Sequence, residues 1–241
     1  MAINAVTVYC GSRAGADPKW AAMAAECGRA LVSHNLALVF GGGCNGLMGA
    51  IAQAVIHAKG KSTGIIPESL LAFEPAMDGL TELFIVDSMH TRKLFMSERA
   101  DAFLVLPGGI GTFEEFFETW TWHQIGLHNK PIVLLNAFDY YTPLLRFLDQ
   151  GVALGFIRAE HHCHLRVATT VEQAFELLVQ PCDYRTGIKG LGLGCCGGVL
   201  HLTSNRIRID ARPRTPPLPR RSIGSGCGYL AAWECADVAV R

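Results

Sequence analysis

The sequence has no excess of charge of either sign: 21 lysines and arginines are matched by 21 aspartates and glutamates. Taken whole, such a chain is not a strongly basic nucleic-acid binder, and no nucleic-acid partner is expected. Long hydrophobic runs are also missing. None approaches the ~18 uninterrupted apolar residues of a membrane span, so no membrane partner is expected. The opening MAINAVTVYCGS has no basic stretch ahead of a long apolar run, which argues against a secretory signal and for a cytoplasmic protein. C-x-x-C pairs are absent, which argues against a zinc ribbon. The nine cysteines are odd in number and scattered, several of them inside apolar runs. Reduced, buried thiols fit that usage better than disulfides.

What is present suffices for one substantial core. The chain has 241 residues, half of them apolar, with a mean hydropathy of +0.25. That length fits a single α/β domain. The balanced charge conceals two unlike segments. Residues 1–182 carry 12 basic and 17 acidic side chains, whereas residues 183–241 carry nine basic and four acidic. The domain expected over 1–182 is therefore mildly acidic, and a basic tail follows it. The tail contains a Gly-rich stretch at 187–198 and a Pro/Arg-rich stretch at 212–221. Neither has a strand or helix period, and the tail is expected to be disordered or loosely packed.

Within the domain, short β-rich runs alternate with helical patterns. Strands are expected at 5–10, 37–40, 62–66, 83–86, 102–106 and 131–135. Helices are expected at 20–34, 47–58, 89–100, 112–125, 142–150 and 171–179, the first with Asp17 as its cap and Pro18 at its first position. The strands are apolar throughout rather than alternating. That combination implies βαβ units: a Rossmann-like open parallel sheet with helices on both faces. His161, His162, Cys163 and His164 form a ligand-rich cluster, but only His161 and His164 have useful helical spacing. A solvated surface turn is the preferred reading, and no metal is expected.

Two glycine loops dominate the chemistry. Gly41-Gly42-Gly43-Cys44-Asn45-Gly46 and Pro107-Gly108-Gly109-Ile110-Gly111-Thr112 each follow a buried strand and open a helix. Glycine allows close backbone approach, and the free N–H groups of a helix start favour an anion, above all phosphate. The first loop formally matches G-x-G-x-x-G, with Glu68 at a suitable distance for a ribose-binding acid. It follows the second strand rather than the first, so a nicotinamide dehydrogenase rests on it alone. The second loop lacks the Lys-Ser/Thr of a P-loop, which argues against nucleoside triphosphate hydrolysis. It places a phosphate cradle directly before Glu114 and Glu115, expected in the first helical turn and about 100° apart around the axis. Arg92 and Lys93 open the helix that feeds this loop, beside the cradle and its carboxylates.

Further matches are ordered along the chain. Tyr9-Cys10-Gly11-Ser12, the two glycine loops, Gly64-Ile65-Ile66-Pro67, Met89-His90-x-Arg92-Lys93, Thr121-Trp122-x-Gln124-Ile125-Gly126 and Lys130-Pro131-Ile132 all occur. Over residues 3–180 the chain resembles the LONELY GUY (LOG) family of cytokinin riboside 5′-monophosphate phosphoribohydrolases, often labelled lysine decarboxylases. No lysine here is placed convincingly for a pyridoxal phosphate Schiff base, which argues against that label. The resemblance implies hydrolysis of the N-glycosidic bond of adenosine 5′-monophosphates, plain or N6-modified, without a cofactor. It implies a homodimer with sites near the subunit interface, for which the aromatic stretch 113–122 is a candidate. Carried over position by position, Arg92 and Glu115 match the catalytic pair, and Gly108, Gly109, Gly111 and Thr112 the phosphate loop. Glu74, Lys93, Glu114 and Thr121 match positions in or near the nucleotide site, and Gly42 and Gly43 belong to the first loop. Thr91 stands where Glu or Gln is common, and Ile110 where Tyr is common. The other reading kept open is a non-catalytic nucleotide sensor or carrier on the same scaffold.

Overall fold

In a computed structural model, which describes residues 3–180, seven parallel strands form one sheet. They are β1 (Ala5–Tyr9), β2 (Ala37–Phe40), β3 (Ser62–Pro67), β4 (Glu82–Val86), β5 (Ala102–Val105), β6 (Ile132–Leu135) and β7 (Leu165–Ala168), in the spatial order β4-β3-β2-β1-β5-β6-β7. The helices are α1 (Lys19–Ser33), α2 (Gly46–His57), α3 (Met89–Arg99), α4 (Ile110–Gln124), α5 (Thr142–Ala153), α6 (Ala159–His162) and α7 (Val171–Val179). Among the described residues, no helix is long and apolar enough to cross a membrane. The expected boundary at 182 and the Gly-rich and Pro/Arg-rich stretches lie outside the described residues.

Burial on both faces explains the uninterrupted apolar strands. Val6, Val8, Leu38, Phe40, Leu104 and Val133 point into a core shared with α1, α2 and α7. Their neighbours Tyr9, Val39, Phe103, Val105, Ile132 and Leu134 point into a second core with α3, α4 and α5. The aromatic stretch 113–122 divides accordingly. Phe116 and Trp120 are buried in the second core rather than offered to a partner.

Local chemistry sets the helix starts. The Asp17 carboxylate accepts the Lys19 N–H at 2.9 Å, but Pro18 rather than Asp17 holds the cap position and α1 begins at Lys19, because this bond reaches only one residue into the helix. Ser88 accepts the Thr91 N–H at 3.1 Å ahead of α3, and Thr170 accepts the Gln173 N–H at 3.2 Å ahead of α7. Three further expectations need correction. α4 begins at Ile110, not Thr112, so no acidic side chain occupies its first turn. Glu114 and Glu115 lie in the second turn, where the helix dipole is weaker. β7 was not anticipated: its LRVA is short and carries Arg166 in the middle, as suits an edge strand. The His161–His164 segment is a turn only at Cys163 and His164, with Cys163 exposed and the histidines half-buried. It forms α6 and its exit, with the His164 ring 4.9 Å from His123 and His162 Nε2 3.3 Å from Asp149. Among the described residues no three His, Cys, Asp or Glu side chains are grouped to hold a metal ion.

Candidate active site

The strand order reverses between β1 and β5, and a crevice opens beyond their carboxyl ends, where open α/β sheets bind ligands. Backbone hydrogen bonds fix its walls. Gly11 N–H donates to the Pro107 carbonyl at 3.1 Å, and Leu47 N–H donates to the Gly11 carbonyl at 2.9 Å. Between the loops lies a cavity of about 710 Å³.

One end of the cavity is the start of α4. Gly108 through Thr112 all line it. No side chain caps this helix. Its first N–H groups have no carbonyl partner within the helix; the Phe113 N–H, on the Gly109 carbonyl at 3.0 Å, begins the ladder. Thr112 is buried and packs tightly on Gly108. The Tyr140 hydroxyl donates to the Gly108 carbonyl and braces the loop from outside.

Glu115 lies farther along the same helix and lines the cavity with Glu114. Burial pushes its pKa up to about 7, against the downward pull of the Arg92 charge. Arg92 itself is committed to main-chain carbonyls. Its Nε donates to the Ile65 carbonyl at 3.1 Å and its Nη2 to the Gly41 carbonyl at 3.0 Å. The guanidinium therefore acts on Glu115 through its field, while Nη1 faces the Met89 sulfur at 3.8 Å. A side chain on Gly41 would collide with this guanidinium, so the glycine is what admits it.

Lys93 is nearly buried and does not line the cavity. Its ammonium binds Glu114 at 2.5 Å and Glu118 at 2.9 Å, tying α3 to α4. Glu118 was missed from the sequence, although its spacing of four from Glu114 puts both on one helix face. Glu74 is placed by a segment that runs antiparallel to the first glycine loop: Cys44 N–H donates to Pro75 O at 3.0 Å and Met77 N–H to Gly42 O at 2.8 Å. Glu74 lines the cavity, and its buried Oε1 has no hydrogen-bond partner.

The fold thus brings together Arg92, Glu115, Glu114, Glu74, Gly108, Gly109, Gly111 and Thr112 on one cavity wall. Gly42 and Gly43 are not among the lining residues, although a Cβ at Gly43 would strike Glu74, which is. Thr121 stands outside it, exposed, with its hydroxyl donating to the Phe117 carbonyl at 2.7 Å. Glu68 also falls outside the cavity lining, which removes the ribose acid of the dehydrogenase reading. Sequence reasoning missed Arg13, Trp20, Met89 and Tyr140, which line the cavity too. Arg13 had a signal: it follows the first strand, at the sheet edge where ligands gather. Tyr140 had none.

Three comparisons place these features among known proteins. A family profile described as "Possible lysine decarboxylase" matches residues 48–178. A cytokinin riboside 5′-monophosphate phosphoribohydrolase of Rhodococcoides fascians is 46% identical over 179 residues, covering 74% of this chain and 90% of that protein. One of Arabidopsis thaliana is 46% identical over 181 residues, covering 74% and 83%. Among solved structures, the molybdenum cofactor carrier protein of Chlamydomonas reinhardtii superposes with a TM-score of 0.54 at 19% identity, over 72% of this chain and 94% of that one. The molybdenum cofactor binding protein of Rippkaea orientalis gives 0.56 at 21% identity, over 74% and 96%. The last two share the fold.

Proposed function

The chain belongs to the LOG family of cytokinin riboside 5′-monophosphate phosphoribohydrolases, and from that premise we propose that it hydrolyses the N-glycosidic bond of adenosine 5′-monophosphates, plain or N6-modified, to free base and ribose 5-phosphate. The observation that carries this reading is the uncapped start of α4 sharing one cavity with Glu115 and Arg92. An anion takes the place of a capping side chain at such a helix start. With the phosphate held there, the ribose lies along the first turns of α4, toward Glu115.

Departure of the base builds positive charge on the ribose. The Glu115 carboxylate stabilises that charge and takes the proton of the attacking water. A pKa of about 7 suits a base working near neutrality. Arg92 keeps part of the population ionised, and its remaining N–H groups serve ribose or phosphate oxygens. Glu74 supplies an unsatisfied acceptor for a sugar hydroxyl or a base N–H. A decarboxylase using pyridoxal phosphate would need a lysine in the cavity. None is among the described lining residues, and Lys93 is held by two carboxylates.

The proposal extends to assembly. Leu83 and Ile85 on the edge strand β4, and Leu94 on α3, are 42%, 57% and 47% exposed. They support a homodimer through this face. Incubation with AMP and isopentenyl-AMP, with separation of the products, tests the activity. Free base and ribose 5-phosphate are expected, and both are lost in Glu115→Gln. Tight nucleotide binding, with the nucleotide recovered intact, would instead make the protein a carrier.

A further inference from the structure

The charges on the cavity wall do not suit its anion. The lining holds three carboxylates, Glu74, Glu114 and Glu115, against two cations, Arg13 and Arg92. A phosphomonoester entering it brings up to two further negative charges. Arg92 is partly spent on the Gly41 and Ile65 carbonyls, and Lys93 is spent on Glu114 and Glu118. Arg13 alone is uncommitted. Among the described residues its side chain makes no hydrogen bond or ion pair, and it is exposed.

Its backbone, by contrast, is fixed. Gly46 adopts φ of +57°, and a side chain there would strike the Ser12–Arg13 peptide, so the start of α2 presses directly on this loop. Two residues earlier, Gly11 is hydrogen-bonded to both Pro107 and Leu47. A Cβ at Gly11 would come within 3.3 Å of the Gly108 Cα, so the loop carrying Arg13 touches the loop that forms the cradle. A fixed backbone root and a free guanidinium, on the cavity that the uncapped start of α4 also lines, suit a clamp for a phosphate.

We infer that Arg13 is a substrate-binding residue whose guanidinium closes over the phosphate held at the start of α4, and that it makes the enzyme select 5′-monophosphates over nucleosides. This rests on the nucleotide-hydrolase reading, but its test does not need turnover. Ribose 5-phosphate and adenosine are titrated calorimetrically into the full-length protein and into Arg13→Gln and Arg13→Lys. Arg13→Gln weakens ribose 5-phosphate binding about 10–100-fold, as for a lost charge-assisted contact. Arg13→Lys recovers part of it, and adenosine binds all three proteins alike. With AMP as substrate, the loss appears in KM rather than in kcat. Equal ribose 5-phosphate affinity in wild type and Arg13→Gln overturns the inference, as does a wild type that does not bind ribose 5-phosphate. A phosphate-specific loss without base release in any of the three proteins leaves the clamp standing and removes the hydrolase.

Discussion

At the residue scale, the role proposed for Glu115 ties activity to stability. Its pKa is about 7 in the fold against 4.5 for an ordinary glutamate. Between those values the folded chain holds a proton that the unfolded chain has released, so this group's contribution to stability falls as pH rises. Glu115→Gln removes that slope. The variant's Tm, measured by thermal denaturation at pH 4.5 and pH 7, should gain on wild type at the higher pH. The same substitution should lower kcat about 10²–10⁴-fold, while wild-type kcat/KM rises with pH to a plateau above about 7. Arg92→Met carries two expectations. Losing the guanidinium strands the buried Gly41 and Ile65 carbonyls and costs about 1–3 kcal/mol by denaturant titration. Losing its charge moves the midpoint of any residual pH–rate profile upward, because that charge holds Glu115 down. Much of this was legible in the sequence. Arg92 and Glu115 stood near the glycine loops, and the resemblance to the LOG family singled them out; the structure puts both on one cavity. Their relation was not, because the Arg92 partners are main-chain carbonyls, which carry no mark in a sequence.

At the element scale, α4 has been left incomplete at its start. An ordinary helix of this length carries a capping side chain, worth about 0.5–2 kcal/mol. Here Gly109 occupies that position, in an extended conformation with open space where a Cβ would sit. Gly109→Asp should therefore raise the denaturant midpoint and at the same time raise KM for AMP, since the new carboxylate occupies and repels from the phosphate place. Parallel gains in stability and affinity would contradict the anion site. Element types were readable because strands buried on both faces stay apolar without alternation. The start of α4 lies two residues before the expected one because Ile110 and Gly111 are weak helix signals and no capping side chain marks the first turn. β7 is hard to read for another reason: it is four residues long and Arg166 interrupts it.

At the scale of the whole molecule, the reversal of strand order between β1 and β5 puts the loops in one place. That order cannot be read from apolar runs, because any neighbour satisfies a strand buried on both faces. The catalytic unit is proposed to be residues 1–182. A chain ending at Pro181 should stay soluble and keep its kcat/KM for AMP within about twofold, a change of roughly 0.4 kcal/mol; loss of soluble protein would refute this. Sedimentation of the full chain should show a dimer, with Ile85→Glu shifting it toward monomer. The sheet's central pairing also has a history. Val6 pairs with Leu38, which is made early in synthesis, but its other edge must wait for Ala102. Until β5 leaves the ribosome, β1 carries an open, apolar edge, the kind that recruits other chains. The docking of β5 closes that edge and, in the same event, lays Gly108 against Gly11. A nascent chain thus closes the open edge of β1 and assembles the proposed phosphate place together.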